Sequence, residues 1–468
     1  MENKLEIIDA YEDKPRRTKK RRVKTKTVLR KVEPRKSKRV LGLKLMYFSM
    51  FFIPLFTCFL IVSTHSKELI NDSLTILLVV LNLIAIAIFL IGLAMALVNK
   101  KIKTGKKIKT WCKAVALIFL VAYTIGGLAF TYLLYGPYHN FRDWLVTSAM
   151  GTMRHQYLAT WFYGEEDRAK VFARHSLTES KENTDLALIS FERPRKGLKT
   201  FKNRYDEEIL TREENQGYKM IDIDRKSRHS KRPLIGKLAV IYDPADVKLA
   251  VTSKLGVAGE DIFTLAKKND GLIAINAGGF FDENLVSNGG RPHGVMIKNG
   301  KLLANTRKAG MGGGVIGFTE DNKLILSRMT ADEAVKKGIR DAVDFGPFLI
   351  VNGKAATIKG GGGFGVANRT VIGQRSDGIV LFLVLDGRRL GVPGADMNDL
   401  IDIMKDYGAV NASNLDGGTS TGMVYDGKLQ NITTNMYSRR IKPRRIPNAW
   451  IYVDKEDKDI EDNLVLNR

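Results

Sequence analysis

The sequence predicts three N-terminal transmembrane helices followed by an extracytoplasmic α+β domain with a largely antiparallel or mixed β-sheet core. Three observations predict this fold class. Three long apolar runs lie in the first third of the chain, and basic residues flank them unevenly. The rest of the chain repeats short strand-like segments that meet at Asn-Gly and Asp-Gly steps. A chain of 468 residues is also long enough for two or three folding units.

The apolar runs predict a membrane anchor over residues 41–136. They cover residues 41–64, 74–98 and 114–135, and the only charged residue within them is Lys44. A helix of about 20 apolar residues is long enough to cross the hydrocarbon core of a bilayer. A core helix of a soluble protein would interrupt such a run with a polar face, so we expect three membrane spans.

Basic residues predict the orientation of this anchor. The first 113 residues carry 25 Lys or Arg and 8 Asp or Glu, so they hold most of the formal net charge of +25. Lysine-rich segments precede the first run and separate the second from the third, whereas residues 65–73 are not basic. Because positive charge stays on the cytoplasmic side, we expect a multi-pass cell-membrane protein with its N-terminus inside and its C-terminal domain outside. The basic leader, residues 1–40, is predicted to bind anionic membrane lipids and not nucleic acid.

Residues 137–216 are predicted to form a juxtamembrane helix and a stalk. Apolar and aromatic residues recur at helical spacing over residues 141–164. Two positions are open for this helix: the outer membrane interface, which its Trp and Tyr residues favour, or the surface of the third span. Residues 168–216 are charged and weakly patterned, which is typical of a linker with short helices.

Strand signals dominate the remainder, residues 217–468. Several of them meet at two-residue turns, as in MIKNGKLL, LIVNGKAA and MVYDGKLQ, whose Asn-Gly and Asp-Gly steps favour tight hairpins. Helical patterns are fewer and comprise GEDIFTLAKKN, TADEAVKKGIRDAV and ADMNDLIDIMKDYG. Many hairpin strands with a few inserted helices are typical of an α+β domain.

Four loops beside these strands have the composition of a ligand site. They are AINAGGFFDENLVSNGGRPHG, GPFLIVNG, NRTVIGQRSDG and NLDGGTSTG. Paired glycines let backbone N–H groups approach a ligand closely, and arginine presents a fork of donors that suits phosphate.

Six motifs in this order, INAGGF, RPHG, GPFLIVNGK, NRTVIGQ, NLDGGTSTGMVYDGKL and RIPNAWIYV, resemble the phosphodiester glycosidase family. The family includes the mannose-phosphate uncovering enzyme and bacterial members associated with exopolysaccharide. The resemblance covers about residues 217–454, so residues 217–468 are predicted to be a phosphodiester glycosidase-like domain. The sequence departs from the family pattern at Ala277, which is an extra small residue, and at Thr419 and Gly422, which replace a glycine and a threonine.

The resemblance implies hydrolysis of the bond between the anomeric carbon of a sugar and a phosphodiester. Breaking that bond builds positive charge on the sugar ring, which a carboxylate stabilises or attacks. Phosphate is already an acidic leaving group, so arginine and backbone N–H groups can replace much of the usual general acid. A sugar-phosphate polymer or glycan at the cell surface, such as a teichoic acid or exopolysaccharide, is the expected substrate.

The candidate catalytic residues are Asp416, Arg369, Asp282 and His293. Asp416 is predicted to be the nucleophile or general base, with an Asx-turn acid as the structural alternative. Arg369 is predicted to clamp the phosphate, with a surface ion pair as the alternative. His293 would donate a proton unless it is only a neighbour of the site, and Asp282 is a reserve carboxylate.

The candidate substrate-binding residues lie in the same loops. Asn276 and the N–H groups of Gly278 and Gly279 would hold sugar hydroxyls or phosphate oxygens. Arg291 would add a charge suited to phosphate, and Asp386 is a second reserve carboxylate that would otherwise be a turn residue. The pocket floor is expected to consist of Gly417, Gly418, Thr419 and Ser420.

The sequence predicts no cofactor, because it has no HExxH motif, no cysteine cluster and no EF-hand spacing. A structural calcium ion held by Asp side chains near the glycine loops stays open. Two functional alternatives to the hydrolase also stay open. One is a non-catalytic cell-wall or exopolysaccharide binding or assembly protein that uses the same pocket. The other is a cytoplasmic nucleic-acid protein, which would require the C-terminal domain to lie inside the cell.

Overall fold

The computed structural model describes residues 34–65, 72–98, 107–152, 155–191, 201–213, 216–281, 288–307, 313–435 and 438–454. The chain forms two units, Met1–Pro137 and Tyr138–Arg468. The described helices of the first unit are α1 (Pro34–His65), α2 (Asp72–Val98) and α3 (Lys107–Tyr135).

Two of these helices have the length and composition of membrane spans. The qualifying segments are Leu41–Val62 in α1 and Leu77–Met95 in α2, whereas the described apolar run of α3, Val121–Tyr135, is shorter. Each segment coincides with a predicted span, so apolar helices are present where the sequence places the first two. The third span and the orientation of the anchor stay predictions, and the basic leader lies outside the described residues except for its last residues in α1.

The second unit is a sheet domain with seven described helices. The helices are α4 (His139–Met150), α5 (Tyr157–Thr160), α6 (Glu165–Arg174), α7 (Arg204–Leu210), α8 (Ile262–Lys268), α9 (Ala331–Lys336) and α10 (Met397–Asp406). The strands are β1 (Ser176–Thr178), β2 (Tyr218–Lys226), β3 (Pro233–Ile241), β4 (Val247–Val251), β5 (Ile273–Asn276), β6 (Val295–Lys298), β7 (Lys301–Asn305), β8 (Gly314–Thr319), β9 (Leu324–Ser327), β10 (Ile339–Phe345), β11 (Phe348–Val351), β12 (Lys354–Ala355), β13 (Thr357–Lys359), β14 (Arg369–Arg375), β15 (Val380–Leu385), β16 (Ala409–Asn414), β17 (Met423–Tyr425), β18 (Lys428–Leu429) and β19 (Asn448–Tyr452).

These strands form four sheets. A seven-stranded sheet has the order β12-β11-β16-β14-β15-β3-β2, and two five-stranded sheets have the orders β7-β6-β10-β8-β9 and β18-β17-β5-β19-β4. A two-stranded sheet pairs β1 with β13. The strand pairs in the described part of the chain are antiparallel, so the predicted largely antiparallel sheet core is confirmed.

The seven-stranded sheet separates two hydrophobic clusters. Its strand β15 has the continuous apolar sequence VLFLVL, and every residue in it is buried. Successive side chains of a strand point to opposite faces, so Leu381, Leu383 and Leu385 pack on the face covered by α10. Val380, Phe382 and Val384 belong instead to the cluster that contains Trp450 and Phe318. Burial on both faces explains why this strand reads as an unbroken apolar run.

Three predicted hairpins are present with the expected turn residues. Asn299 and Gly300, Asn352 and Gly353, and Asp426 and Gly427 all have positive φ, between 47° and 75°. Positive φ at both central positions is the requirement of a type I′ turn, which Asn-Gly and Asp-Gly satisfy with little strain. These turns join β6 to β7, β11 to β12 and β17 to β18. Asp426 is therefore a turn residue.

One predicted helix is partly wrong. The pattern TADEAVKKGIRDAV predicts a single helix, but α9 ends at Lys336 and the next residues form β10, at the centre of a five-stranded sheet. Gly338 has a φ of 66° and ends the helix in the left-handed conformation that glycine adopts readily. The charged residues Arg340 and Asp341 suggest an exposed helix, yet both are buried and paired with each other.

The stretch predicted to be a linker or stalk instead folds onto the sheet domain within its described residues. Strand β1 pairs with β13, and Ile209 of α7 is fully buried in the cluster beneath α10. Asp206 accepts a hydrogen bond of 2.8 Å from Arg375 of β14. The composition misled the prediction because a few apolar residues and paired charges are enough to dock a segment when the partner surface is already folded.

The juxtamembrane segment is also broken into two helices, α4 and α5, and not one. Asp143 of α4 accepts bonds of 2.6 and 3.0 Å from Arg174 and of 3.0 Å from His175, whose other ring nitrogen accepts from the N–H of Gly361. Val146 and Ala149 are buried, whereas the Trp144 side chain is exposed. Helix α4 is thereby tied to the glycine-rich turn that precedes β14.

We expect Asp143→Asn to lower the stability of this docked segment at neutral pH. Burial by itself would raise the pKa of Asp143, but its bonds to Arg174 and His175 outweigh this effect and hold the pKa below its ordinary value. A lowered pKa means that the ion pair stabilises the fold above about pH 4 and that this contribution is lost as the pH falls further. Because Arg174 is partly exposed, the expected loss at pH 7 is only about 1 to 2 kcal/mol.

Thermal melts of the full chain at pH 7 and pH 3 measure this difference. Glu166→Gln is the matched control, because the Glu166–Lys170 pair of α6 is solvent-exposed and should contribute little. An Asp143→Asn protein that melts like the wild type at pH 7, or that shows the same difference at both pH values, would contradict the expectation.

Candidate active site

The candidate site lies where strand ends of two sheets meet. Strand β14 is antiparallel to both of its neighbours, with Arg369 opposite Leu385 and Val371 opposite Asn414. The start of β14 and the ends of β15 and β16 therefore share one edge of the seven-stranded sheet. From that edge, residues 415–422 cross to β17 in a five-stranded sheet, where β17 pairs with β5.

The crossing loop holds Asp416 in a fixed position. The Asp416 N–H donates to the Ala277 carbonyl over 3.1 Å, and the Asp416 carbonyl accepts from the Asn276 amide over 2.6 Å. Its carboxylate is half-buried, and the Oδ1 atom accepts from the Gly417 N–H over 2.9 Å. The loop thus presents a carboxylate on a backbone that is bonded on both sides to the end of β5.

The following residues form a short 3₁₀ turn, Gly418–Ser420. Gly418 has a φ of 63°, and its N–H donates to the Asn368 carbonyl over 3.0 Å. A Cβ atom at this position would lie 3.2 Å from the Nη1 atom of Arg388, so a side chain would crowd that guanidinium. Ser420 is buried, whereas Thr419 is half-buried and accepts from the Arg444 N–H. The predicted pocket floor is therefore one continuous turn.

Asn276 is fully buried at the end of β5 and bonded to protein atoms. In addition to its bond to Asp416, its Oδ1 atom accepts from the Thr370 hydroxyl over 2.8 Å and from the Gly422 N–H over 3.1 Å. The side chain thereby joins β5, β14 and both ends of the crossing loop. Its predicted contact with substrate stays a prediction, and these bonds favour a positioning role.

Packing requires glycine at positions 278 and 279. The Gly278 N–H donates to the Asn448 side chain over 2.8 Å, and a Cβ atom on Gly278 would lie 3.0 Å from Val343. A Cβ atom on Gly279 would lie 2.8 Å from the Phe345 ring. The glycine pair therefore fits between the start of β19 and the end of β10.

His293 lies beside this glycine pair. Its N–H donates to the Gly279 carbonyl over 2.9 Å, and its ring centroid is 5.0 Å from that of Phe281. Burial lowers the pKa of His293; nearby Asp344 acts in the opposite direction, and Arg307 adds to the lowering. The imidazole is therefore mostly neutral at pH 7, and Arg307 forms an ion pair with the buried Asp344 carboxylate.

Arg369 is placed at the start of β14 but is buried, with its side chain bonded to the protein. Its Nε atom donates to the Ala395 carbonyl over 3.2 Å, and its Nη2 atom donates to the carbonyls of Phe364 and Gly365 over 2.8 Å each. Burial, followed by the charge of nearby Arg388, lowers the pKa of Arg369 to about 10. Its predicted role as the phosphate clamp is not tested by these bonds, which do show that it holds the turn before β14.

Two of the remaining predicted residues, Asp386 and Arg291, lie outside the crossing loop. Asp386 is buried after β15, where it accepts from the Ile432 N–H over 2.8 Å and pairs with Arg389 over 3.1 Å. Burial raises its pKa, although these partners oppose the shift. Arg291 is exposed, with its guanidinium 5.0 Å from the Phe281 ring centroid. Asp282 lies outside the described residues.

Sequence reasoning missed three residues at this edge. They are Asn368, whose carbonyl binds the Gly418 N–H, Asn448, whose side chain binds the Gly278 N–H, and Arg388, whose guanidinium lies beside Gly418. Arg388 follows an Asp-Gly step at the end of β15, and such a step after a buried strand is a signal that could have identified it. Among the described residues, no group of three or more His, Cys, Asp or Glu side chains is arranged to hold a metal ion.

The residues of the candidate site lie within a segment that matches a known protein family. Residues 269–453 match the phosphodiester glycosidase family. The SPbeta prophage-derived uncharacterized protein YomE of Bacillus subtilis strain 168 is 27% identical over 236 residues, which are 48% of this chain. The same match covers 35% of that relative, so the chain spans about a third of the relative's length.

Two solved structures are similar to part of the chain. One is the catalytic domain of zebrafish N-acetylglucosamine-1-phosphodiester alpha-N-acetylglucosaminidase, auto-inhibited by its pro-peptide, with 21% identity and a TM-score of 0.43 over 51% of this chain and 83% of that chain. The other is a hypothetical protein from Synechocystis, with 16% identity and a TM-score of 0.36 over 51% of this chain and 62% of that chain. Residues 269–453 of this chain thus form a domain that matches the phosphodiester glycosidase family.

Proposed function

We propose that the protein hydrolyses glycosyl phosphodiesters and that Asp416 is the catalytic carboxylate. The observation that carries this proposal is the fixed, half-buried position of Asp416 at the meeting point of two sheets, within the family-matched residues. The reaction breaks the bond between the anomeric carbon and the bridging phosphate oxygen. Water supplies a hydroxyl group to the anomeric carbon and a proton to the departing phosphate oxygen. The products are therefore a free sugar and a phosphomonoester.

Asp416 acts on the sugar side of this bond. As the C–O bond breaks, positive charge develops at the anomeric carbon, and a carboxylate held in place stabilises it without reorganisation. The carboxylate either attacks the carbon or removes a proton from the attacking water. The bonds from Asn276 and Ala277 to the Asp416 backbone limit the motion of the carboxylate, which is the condition for effective catalysis by a positioned group.

The leaving group needs little help from an acid, because a phosphodiester oxygen is weakly basic. His293, in the role predicted from the sequence, would supply a proton or a hydrogen bond from beside the Gly278–Gly279 pair. An imidazole that is mostly neutral at pH 7 forms hydrogen bonds with a hydroxyl or a phosphate but supplies no permanent positive charge. Asn448 and Asn276 position the loops around these groups.

We further propose that this domain works outside the cell on a membrane anchor. Support comes from the two apolar helices, from the lysine-rich flanks of the apolar runs and from the exposed Trp144 and Trp161 side chains in the juxtamembrane segment. Surface polymers such as teichoic acids or exopolysaccharide contain phosphodiester-linked sugars and are the proposed substrates. The basic leader would bind anionic lipids on the inner face.

Protease treatment of intact cells tests the orientation. We expect added protease to remove an epitope placed after Arg468, because that end of the chain would be outside, and to leave an epitope before Met1 intact until the membrane is permeabilised. The same treatment after permeabilisation is the control for epitope accessibility. Protection of the C-terminal epitope in intact cells would contradict the proposed orientation and would reopen the cytoplasmic alternatives.

Product analysis of the full-length protein in detergent tests the activity. The substrates are sugar-1-phosphodiesters that differ in sugar and anomer, together with simple O-glycosides of the same sugars. We expect equal amounts of free sugar and phosphomonoester from at least one phosphodiester, and slower release from the matching glycoside, whose leaving group is more basic. Retention of a surface polymer without any sugar release would instead favour the non-catalytic binding protein.

A further inference from the structure

Arg388 has an unusual backbone conformation. It follows β15 with a φ of 54°, a left-handed conformation that is uncommon for residues other than glycine and asparagine. The loop enforces it, because the Arg388 N–H donates to the Pro393 carbonyl over 2.8 Å and Arg389 bridges to Val392. Gly387 also packs on the chain before β14, where a Cβ atom would lie 2.6 Å from the Asn368 nitrogen. Strain of this kind is typical of residues that a functional site must hold in place.

The Arg388 guanidinium has no bonding partner among the described residues. Its half-buried side chain forms neither a hydrogen bond nor an ion pair there. The neighbouring arginines differ, because Arg389 pairs with Asp386 and Arg369 donates to three backbone carbonyls. The unpaired guanidinium lies beside Gly418, two residues after Asp416.

The charge of this guanidinium is not balanced locally. Burial lowers the pKa of Arg388, and the charge of Arg388 in turn contributes to the lowered pKa of Arg369. Asp396 and Asp399 offset part of the charge on Arg369, but both are already bonded to Arg232. An anion next to Arg388 would therefore relieve the repulsion between the guanidinium groups of Arg388 and Arg369.

We propose that Arg388 binds the phosphoryl group of the substrate and that Arg369 only supports the loops beneath it. An arginine fork forms two parallel hydrogen bonds with phosphate oxygens, which fixes both distance and orientation. Two residues span at most about 7 Å, so a phosphate on Arg388 leaves its sugar within reach of the Asp416 carboxylate. This assignment rests on the proposed function and names the group that recognises the phosphate.

Binding of inorganic phosphate to the full-length protein in detergent tests the proposal without turnover. Isothermal titration calorimetry compares the wild type with Arg388→Gly, Arg388→Lys and Arg369→Lys, and with Arg228→Ala, which removes an exposed arginine that pairs with Asp406. We expect phosphate affinity to fall at least tenfold in Arg388→Gly, as for loss of a charged hydrogen bond. Arg388→Lys should fall less, and Arg228→Ala should bind like the wild type.

Arg388→Gly also separates binding from folding, because glycine adopts the left-handed conformation without strain. We expect its melting temperature to equal or exceed that of the wild type. A clearly lower melting temperature together with unchanged phosphate affinity would show that Arg388 is structural and would overturn the proposal. So would a wild-type protein that does not bind phosphate, or a tenfold loss confined to Arg369→Lys.

Turnover provides the second measurement. For a glycosyl phosphodiester substrate we expect kcat/KM of Arg388→Gly to fall about 100-fold and to recover in part when guanidinium ion is added. Turnover equal to that of the wild type would overturn the assignment. If the wild type itself releases no sugar, the proposed function fails, whereas the phosphate-binding experiment still decides the role of Arg388.

Discussion

Asp416→Asn is expected to lower the rate of sugar release from a glycosyl phosphodiester by about 1000-fold, with little change in stability. Removal of a positioned acid or base costs about 100- to 10,000-fold in rate, and loss of the negative charge also removes the stabilisation of the sugar cation. The fold should tolerate the change, because the Asn oxygen can still accept from the Gly417 N–H as the Asp416 Oδ1 atom does.

The measurement is kcat of the purified full-length variant, with its thermal melt recorded in parallel. Asp426→Asn is the matched control, because Asp426 is an exposed turn residue and Asn suits its φ of 47° equally well. The control should have wild-type activity. Full activity in Asp416→Asn would show that another carboxylate acts on the anomeric carbon, and Asp282 would be the next candidate.

Asn276→Ala is expected to lower the free energy of unfolding by about 3 to 5 kcal/mol. The substitution leaves three groups without their partner: the buried Thr370 hydroxyl, the buried Gly422 N–H and the partly buried Asp416 carbonyl. Each unsatisfied buried group costs about 1 to 3 kcal/mol, and relaxation of the loop recovers part of the sum. Activity should fall as well, because the Asp416 backbone loses its anchor.

Chemical denaturation of the full chain measures the stability change. Thr370→Val removes only one of the three bonds and replaces the hydroxyl with a methyl group, so its expected effect is about 1 kcal/mol. A wild-type denaturation midpoint in Asn276→Ala, combined with weaker substrate binding, would contradict the positioning role. That outcome would support the direct contact between Asn276 and substrate that the sequence predicts.

Strands and hairpin turns were predictable where local chemistry decides the structure. The three Asn-Gly and Asp-Gly turns have the positive φ values that these residues favour, so their hairpins follow from short-range preference. Strand β15 was predictable because burial on both faces requires an unbroken apolar run. The loops of the candidate site were identifiable because glycine pairs and polar residues directly follow such strands.

Structure that depends on distant partners was not predictable in this way. Strand β16 has the polar sequence AVNASN, and it occupies the interior of the seven-stranded sheet because Asn411, Ser413 and Asn414 find hydrogen-bond partners there. The segment read as a stalk docks through contacts with residues more than 100 positions away, such as the bond between Asp206 and Arg375.

The roles of Arg369 and Arg388 at the candidate site also depend on distant partners. Arg369 begins β14 and Arg388 follows β15, at the same edge of the seven-stranded sheet. The sequence alone therefore does not distinguish their roles. Only the tertiary structure shows that Arg369 donates to three carbonyls, whereas Arg388 has no partner among the described residues. The first arginine was named from its motif, and the second is identified by its unbalanced charge.

Hydrolysis in water enriched in ¹⁸O distinguishes cleavage at the anomeric carbon from cleavage at phosphorus, because the position of the label reports which bond is broken. A glycosidase breaks the bond between the anomeric carbon and oxygen, so we expect the phosphomonoester to contain no ¹⁸O and the label to enter the sugar. Phosphorus-31 NMR of the product resolves the two cases by the isotope shift of the phosphate signal. Incorporation of ¹⁸O into the phosphate would show attack at phosphorus and would contradict the proposed role of Asp416.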